Sequence, residues 1–565
     1  MPTKPRIAHF SGPNATIQNT PALVTSNKAR AKHGLPLATN PDGSPARFDV
    51  LRPQRIAAPV KVYVEQFSAH PLEADAAELY GPPDGFLDAS GAFHKTRLSA
   101  QDKPVYEVEL RPEDGVYPLP YMARQVDGKP WEDDTMEPLG PPERARQPFF
   151  PDGSRAFEEI DRLGIGDHGE GNLISARAEI DFYRVLPPSG YKKGLAAAKR
   201  TDIGAGDIPP EVRGKDYFYY RPYHTAVSPP RPTLARIANS VQKILSSGQY
   251  EGGIWTQGSP RIEETIYWFN IMLDTTLPVV GNAAQRAHGQ ISNDGPKNIV
   301  DSVDYIASRV WADAEGRNRA GMVLIQEQQI FAAREVQKGD ARPGGYVTTG
   351  GHGGILGAAG HDGPPALMYL PATRHTYQSE VNIARIPREV QGVLRADGRL
   401  KQVPVVLKTG AGELVETIVP KVSIIKDGNY IADDYSDDLE REVDLIALTD
   451  AKLRNAPLAG FVLEGLSPYG FAMSAARHRL LLKAVHSGMP VARVGRGNAE
   501  GFSPPRDRFI GGRNLTSTKA RLLLMACLMR FGSLPPCVNP DAPTEAELNA
   551  IREKLKAYQA VFDTH

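Results

Sequence analysis

The stretch GGIWTQGSPRIEET, residues 252 to 265, runs from an apolar segment through a glycine turn to Ser259 and Pro260, immediately before a helical pattern. A hydroxyl at this corner has two interpretations. Serine followed by proline is a common way to begin a helix, with the serine as N-cap and the proline in the first helical position. A hydroxyl can also take part in acyl transfer when a neighbouring base accepts its proton. Taken alone, the corner favours the structural interpretation.

Alternating strand and helix patterns surround this corner. The strand GGIWTQG is followed by a helix with apolar residues at helical spacing, the strand LPVVGNA, a second amphipathic helix near residues 299–310 and the strand AGMVLIQ. This order predicts a mainly parallel sheet with helices on both faces. A second run of the same kind begins with PKVSII near residue 420 and continues through LAGFVLEG and MPVARVG to two terminal helices. It predicts a second α/β unit.

We therefore predict a two-domain α/β protein with an irregular insertion. The N-terminal domain covers residues 1–75 and 233–410, and the C-terminal domain covers residues 411–565. Residues 76–232 form the insertion, which is rich in proline and glycine and contains short alternating stretches such as VYEVEL. A chain of 565 residues exceeds the size of one ordinary core. Long insertions in compact proteins are usually lids, binding surfaces or subunit contacts.

Composition excludes several classes of partner. The chain has 66 basic and 66 acidic residues and a pI near 7.2, so it has no basic field for nucleic acid or an anionic membrane. Its two cysteines, Cys527 and Cys537, are too few for a disulfide framework. The N-terminus shows no apolar signal segment, and no apolar run reaches membrane-spanning length. We expect a soluble cytoplasmic protein with no nucleic-acid or membrane partner.

One glycine-rich stretch, TTGGHGGILGAAGHDG, contains His352 and His361. Two histidines suggest a metal site, but carboxylates or thiols at ligand spacing are missing from the stretch. The composition is more typical of a mobile glycine loop beside a site. The sequence therefore predicts no metal and no cofactor.

Polar corners also follow other predicted strands, at the edge where open α/β sheets bind ligands. The first predicted strand is followed by the segment SGPNATIQ, and the second predicted strand and its corner lie in VYVEQFSAHPLEA. Later in the chain come the segments TQGSPRIEET, NDGPKN, AAREVQK, PATRHT and STKARLLL. In their order along the chain and in their residues, these segments resemble the motifs of the bacterial-type L-asparaginase family. The resemblance covers roughly residues 5–75 and 233–540. Because the motifs are collinear, the set implies the asparaginase fold.

The resemblance also implies catalytic roles. It places Thr16 on the family's nucleophilic threonine, Ser259 on its second catalytic threonine and Lys338 on its catalytic lysine. The backbone N–H of Ala284 corresponds to the oxyanion hole. Amide hydrolysis needs these parts: a nucleophile, a base such as a desolvated lysine, and donors for the oxyanion. Without the resemblance, Thr16 is a turn hydroxyl and Lys338 a solvated lysine at a strand end.

The substrate side of the predicted site departs from the family pattern. Pro260 replaces an aspartate that binds the amino group of asparagine, so an amino-acid substrate would lose this contact. The serine–glutamine pair that grips the substrate carboxylate becomes Ser68 and Ala69. The adjacent His70 is either an altered substrate contact or a partly buried structural histidine. Glu500 lies near the glutamate that a neighbouring subunit contributes in the family.

Together these features imply an amidohydrolase that cleaves a small amide through a threonine nucleophile, with free asparagine a poor substrate. Two alternatives stay open. One is an L-asparaginase or glutaminase proper, in which a group from the insertion replaces the missing aspartate. The other is a catalytically silent binding or assembly protein. The resemblance also implies a homodimer or homotetramer with shared active sites.

Overall fold

The structure is a computed structural model of the chain. It describes residues 4–11, 24–26, 42–44, 51–53, 60–64, 82–88, 93–110, 160, 173–184, 230–259, 261–286, 292–348, 353–360, 363–427, 438–466, 470–472, 474–496, 503–506 and 508–565.

The strands in chain order are β1 Arg6–Ser11, β2 Val24–Ser26, β3 Leu51–Pro53, β4 Val60–Val64, β5 Gly85–Leu87, β6 Phe93–His94, β7 Lys103–Leu110, β8 Glu179–Arg184, β9 Gly252–Thr256, β10 Val279–Asn282 and β11 Val323–Gln326. They continue as β12 Gln329–Ala332, β13 Val336–Lys338, β14 Tyr346–Thr348, β15 Ile355–Ala358, β16 Ala366–Leu367, β17 Glu389–Ala396, β18 Arg399–Val406, β19 Lys421–Lys426, β20 Ala459–Gly465, β21 Val491–Gly495 and β22 Ile510–Gly511.

The α-helices are α1 Pro230–Leu245, α2 Ile262–Met272, α3 Gly295–Ser308, α4 Val443–Asn455, α5 Ala475–His486, α6 Ser517–Phe531 and α7 Glu545–Thr564. Short 3₁₀ helices cover Thr376–Gln378, Glu416–Ile418 and Leu439–Arg441. Among the described helices, none is long and apolar enough to cross a membrane.

The chain divides into two compact units, each built from several segments. The first unit comprises Met1–Ser228, Tyr250–Ser259 and Asn282–Ala307. The second comprises Pro229–Gln249, Pro260–Gly281 and Ser308–His565. Both mix strands and helices, which confirms the predicted α/β class. The domain boundaries inferred from the sequence stay a prediction.

The first unit contains a parallel sheet centred on β1. Strand β1 pairs with β8 on one side and β9 on the other, with Ile7 opposite Ile180 and Gly252. Ile7 and Phe10 are fully buried. Gly253 lies where a side chain would not fit, because an added Cβ would be 2.7 Å from the Phe10 ring. The glycine pair at the start of GGIWT therefore allows β9 to lie close against β1.

Strand β4 does not join this parallel sheet. The sequence had predicted that β4 ends at the same edge of the sheet as β1 and β9, where ligands bind, and this prediction was wrong. Strand β4 pairs antiparallel with β7, and β7 continues to β5 and β6. The alternation in VKVYV is typical of an antiparallel strand, whereas strands of buried parallel sheets are apolar on both faces. The place beside β1 is taken by β8, a strand of the predicted insertion.

In the second unit, β10 and β11 are parallel, as the sequence predicts. Strand β12 then reverses and pairs antiparallel with β11, and β15 and β16 extend the antiparallel part. The reversal occurs at Glu327 and Gln328, which adopt φ values of 48° and 63°. These antiparallel strands add to the parallel pairs β1–β8, β1–β9 and β10–β11, which confirm the mainly parallel arrangement expected from the sequence.

The C-terminal part of the second unit is a parallel sheet in the order β19–β20–β21–β22. Along the chain, helix α4 lies between β19 and β20, α5 lies between β20 and β21, and α6 follows β22. The residues of β21 are all buried, as expected for a strand of a parallel sheet covered by helices. Two two-stranded antiparallel pairs, β13–β14 and β17–β18, complete this unit.

Candidate active site

Three of the residues assigned from the sequence lie within the described residues. Ser259 and Ala284 belong to the first unit, and Lys338 belongs to the second. The remaining residues, Thr16, Ser68, His70, Pro260 and Glu500, lie outside the described residues. Their roles stay predictions.

The loop after β10 is fixed by hydrogen bonds to two side chains of the NDGPKN stretch. The Asp294 carboxylate, only 3% exposed, accepts hydrogen bonds from the backbone N–H groups of Gln285, at 3.0 and 2.9 Å, and of Arg286, at 2.9 Å. The Asn298 side-chain amide donates to the carbonyl of Ala283, at 2.9 Å. Two buried side chains thus fix the loop on both sides of Ala284.

Ala284 is the residue between these two anchors, and it is half-buried. Within the described ranges, its N–H donates to no protein acceptor, whereas the next two N–H groups are both bound by Asp294. Helix α3 begins close by, because an added Cβ on Gly295 would lie 3.1 Å from the Ala284 Cβ. A fixed loop with an available N–H is the geometry that an oxyanion hole requires.

The Ser259 corner lies beside this loop. The backbone N–H of Gln257 donates to the carbonyl of Asn282 at 3.1 Å, so the ends of β9 and β10 meet two residues before Ser259 and Ala284. The Gln257 side chain is buried and accepts a hydrogen bond from the Trp255 indole N–H at 2.8 Å. The structure therefore brings together two of the corners that the sequence assigned to the site.

Ser259 is not the N-cap of the following helix, so the capping position predicted for it was wrong. Helix α2 begins at Ile262, and Arg261 is its N-cap residue, with no side-chain capping hydrogen bond. The N–H groups of Glu264 and Thr265 donate to the Arg261 carbonyl, each at 3.2 Å. Ser259 lies in a turn that precedes the helix.

A hydroxyl–imidazole pair lies on the adjoining strands β1 and β9. His9 Nε2 and Thr256 Oγ1 are 2.8 Å apart, and the His9 side chain is only 1% exposed. Thr256 is the last residue of β9 and is half-buried. This pair was not predicted from the sequence, although a histidine inside the apolar strand RIAHFS is the signal that marks it.

Lys338 is the last residue of β13, in the second unit. Its side chain is half-buried, with Nζ 3.3 Å from the Arg342 carbonyl oxygen and 4.6 Å from the centroid of the Tyr346 ring. An aromatic face and a carbonyl are both favourable neighbours for an ammonium group.

The backbone of β13 is anchored by two charged side chains. The Glu263 carboxylate accepts a hydrogen bond from the Lys338 N–H. The Lys519 ammonium group, which is fully buried, donates to the carbonyl of Arg334 at 2.9 Å and to that of Val336. Lys519 belongs to the STKARLLL stretch, so this motif supports the strand that carries Lys338.

Burial shifts the pKa values of both anchors in opposite directions. It lowers the pKa of Lys519 from its ordinary 10.5 to about 8, and the nearby Glu263 charge opposes this change. Burial also raises the pKa of Glu263, while the positive charge of Lys519 acts in the opposite direction. The buried lysine with a strongly lowered pKa is thus Lys519, a role that sequence reasoning missed. Among the described residues, no group of three or more His, Cys, Asp or Glu could hold a metal ion.

Comparisons with known proteins point to one family. Residues 230–350 match the family model described as asparaginase, N-terminal. The chain is 28% identical over 210 residues to a glutaminase-asparaginase of Acinetobacter glutaminasificans, an alignment covering 34% of this chain and 60% of the relative. It is 31% identical over 105 residues to an L-asparaginase of Bacillus licheniformis, covering 19% and 31%. Escherichia coli L-asparaginase 2 is 26% identical over 136 residues, covering 24% and 37%.

A solved structure, the probable cytoplasmic L-asparaginase of Campylobacter jejuni, matches with a TM-score of 0.45 and 19% identity. That match covers 70% of this chain and 94% of the solved chain. The family model and the curated relatives confirm the resemblance to bacterial L-asparaginases and glutaminase-asparaginases. The aligned regions span 60% or less of the length of these three relatives.

Proposed function

We propose that this chain is an amidohydrolase that cleaves a small non-peptide amide, and that free asparagine is a poor substrate. The anchored loop at Ala284 is the observation that carries the proposal. The buried side chains of Asp294 and Asn298 fix the backbone on both sides of Ala284, beside the corner that carries Ser259. The relatives matched in sequence are L-asparaginases and glutaminase-asparaginases, which supports the same reaction class.

In the proposed reaction, Thr16 Oγ attacks the amide carbonyl carbon and its proton passes to Lys338, with Ser259 as the intermediate hydroxyl. The oxyanion that forms is stabilised by the Ala284 N–H. The amine leaves with a proton from the base, and water then hydrolyses the ester on Thr16. Ser68 and His70 are proposed to contact the far end of the substrate.

The proposed specificity rests on Pro260. The proline side chain has no charge and no hydrogen-bond acceptor, so it cannot bind an ammonium group at the position where asparaginases carry an aspartate. Loss of a hydrogen bond to a charged group costs about 1.5–3 kcal/mol, or roughly one to two orders of magnitude in specificity. An amide without an α-amino group avoids this loss. If the insertion supplies a compensating carboxylate, the chain is instead an ordinary asparaginase or glutaminase.

The most direct test compares L-asparagine with succinamate, because the two differ only in the amino group. Cyclic amides, N-substituted amides and L-glutamine complete the panel, and release of ammonia or amine is measured. We expect succinamate to exceed asparagine in kcat/KM by about a hundredfold. In a Pro260→Asp variant this preference should fall or reverse. Efficient asparagine hydrolysis by the wild type would refute the specificity.

Control variants separate the reaction class from the specificity. Thr16→Ala should abolish turnover of every active substrate, whereas Thr25→Ala, a threonine in β2, should not. If the Thr16→Ala variant keeps near wild-type turnover, the nucleophile is assigned wrongly. Absence of turnover across the panel would support the alternative of a catalytically silent binding protein. The cytoplasmic location stays a prediction.

A further inference from the structure

A second cluster of charged side chains lies in the C-terminal sheet of the second unit, and the proposed reaction does not use it. Arg493 of β21 is 2% exposed, yet its strand lies between β20 and β22 in a parallel sheet. Its Nη2 donates to the carbonyl of Pro504 at 2.8 Å. Phe471, Arg493, Ser503 and Arg506 are called the Arg493 cluster below.

Two guanidinium groups lie close to one aromatic ring in this cluster. The Arg493 Cζ lies 5.5 Å and the Arg506 Cζ 4.7 Å from the centroid of the Phe471 ring. Burial, and secondarily the charge of Arg506, lowers the pKa of Arg493 to about 10. The two cations therefore repel each other in a site that is poorly hydrated on the Arg493 side.

Three other buried or half-buried arginines of this unit have a carboxylate partner. Arg334 pairs with Glu335 at 2.5 Å, Arg477 with Glu442 at 2.7 Å and Arg236 with Glu416 at 2.6 Å. In the part of the chain that the structure describes, neither arginine of the Arg493 cluster has an ion-pair partner. A buried charge is normally paired, so this arrangement needs a source of negative charge.

The cluster also contains polar atoms without a partner. Arg493 Nε and Ser503 Oγ are both buried, and neither has a hydrogen-bond partner among the described residues. The Ser503 backbone is fixed, since its N–H and carbonyl pair with those of Arg513, both at 3.1 Å. Gly470 packs tightly against it, because an added Cβ there would lie 3.0 Å from Ser503 Oγ. The hydroxyl and the guanidinium are thus held in place as donors.

We propose that the Arg493 cluster binds a small oxyanion. Two guanidinium groups and a hydroxyl are the donors that phosphate and carboxylate oxygens accept best, and arginine can bind either of them through two parallel hydrogen bonds. The ligand neutralises both arginines and supplies the acceptors that Arg493 Nε and Ser503 Oγ lack. The site lies in the C-terminal sheet, and its four residues are not among those assigned to the proposed reaction.

The test measures binding of inorganic phosphate, sulfate and succinate to the full chain by calorimetry and thermal unfolding, with chloride at matched ionic strength as reference. We expect one of the oxyanions to raise the unfolding temperature. Arg506→Ala removes an exposed side chain and should weaken binding at least about tenfold, the loss of one charge-assisted hydrogen bond. Arg385→Ala, an exposed arginine of the same unit, is the matched control and should bind like the wild type.

Ser503→Ala tests the buried donor without changing the charge. It should weaken oxyanion binding while leaving the unfolding temperature in chloride unchanged or higher, because it removes an unsatisfied hydroxyl. Response to phosphate but not succinate would assign a phosphorylated ligand, and the reverse would assign a carboxylate; both support the site. Equal stabilisation of the wild type and Arg506→Ala, or no stabilisation by any of the three anions, would overturn it.

Discussion

Replacing Lys519 with methionine should change how the stability of the chain depends on pH. In the wild type, the buried ammonium group holds the carbonyls of Arg334 and Val336 at β13. Burial lowers its pKa from 10.5 to about 8. Between these two values the unfolded chain binds more protons than the folded chain, so the free energy of unfolding rises with pH. Methionine has a similar length but no proton to release.

The size of the effect follows from the two pKa values. Between about pH 7.5 and about pH 9.5, linkage gives the wild type an increase of about 2 kcal/mol from this one lysine. The Lys519→Met variant loses the hydrogen bonds to two buried carbonyls, so it should be less stable at both values. Its deficit relative to the wild type should therefore grow by about 2 kcal/mol on going to the higher pH.

Urea unfolding at the two pH values measures this difference. Trp268 and Trp311, both fully buried in the second unit, report the transition by fluorescence. Lys556→Met, which removes an exposed lysine of α7, is the matched control and should shift the unfolding free energy equally at both values. If Lys519→Met is less stable than the wild type by the same free energy at both pH values, the buried ammonium group does not cause the pH dependence of stability.

The remaining predictions concern the candidate active site and assembly. Asp294→Ala removes the acceptor for two loop N–H groups, so kcat for the best amide should fall about tenfold to a hundredfold, with a smaller change in KM. Unchanged steady-state kinetics would show that the loop does not contribute to catalysis. Ser259→Ala should keep the unfolding free energy within about 0.5 kcal/mol by urea titration, because Arg261 is the N-cap, and a larger loss would show a structural role. Light scattering should show a dimer or tetramer, and a fully active monomer would contradict the prediction that Glu500 completes a neighbouring site.

The order of strands and helices could be predicted well from the sequence beyond residue 233. Strands such as β9, β20 and β21 are short apolar runs, and helix α2 follows β9 with the expected apolar spacing. In these segments the local pattern and the tertiary environment agree, because a strand buried on both faces is apolar throughout. The hydrophobic pattern of the sequence was therefore sufficient to predict these strands and this helix.

The antiparallel part of the second unit could not be predicted in the same way. A two-residue hairpin needs two residues in the left-handed region, for which Asn-Gly and Asp-Gly are the usual signals. The β11–β12 turn uses Glu327 and Gln328 instead, so the sequence gives no warning of the reversal. The β17–β18 turn uses Asp397 and Gly398, at φ 53° and 74°, and is a recognisable hairpin signal.

The candidate site shows the same division between local and long-range information. The motif NDGPKN could be recognised from the sequence, but the reason for its aspartate appears only when Asp294 meets the N–H groups of Gln285 and Arg286. Lys519 and Val336 are separated by 183 residues, and no local periodicity relates them. Side chains that support a site across the fold have no spacing rule, so their roles require coordinates.

The pairing of β1 with β9 has a consequence for biosynthesis. Ile7 lies opposite Gly252, so during synthesis β1 cannot complete its sheet until the chain has been extended by more than two hundred residues. Until then β1 presents an unpaired edge on the side that β9 will occupy, and such edges favour association between nascent chains. Closing so long a loop is also slow, because contacts distant in sequence form late. Expression yield should therefore depend on chaperone supply and temperature, and fragments ending before β9 should aggregate.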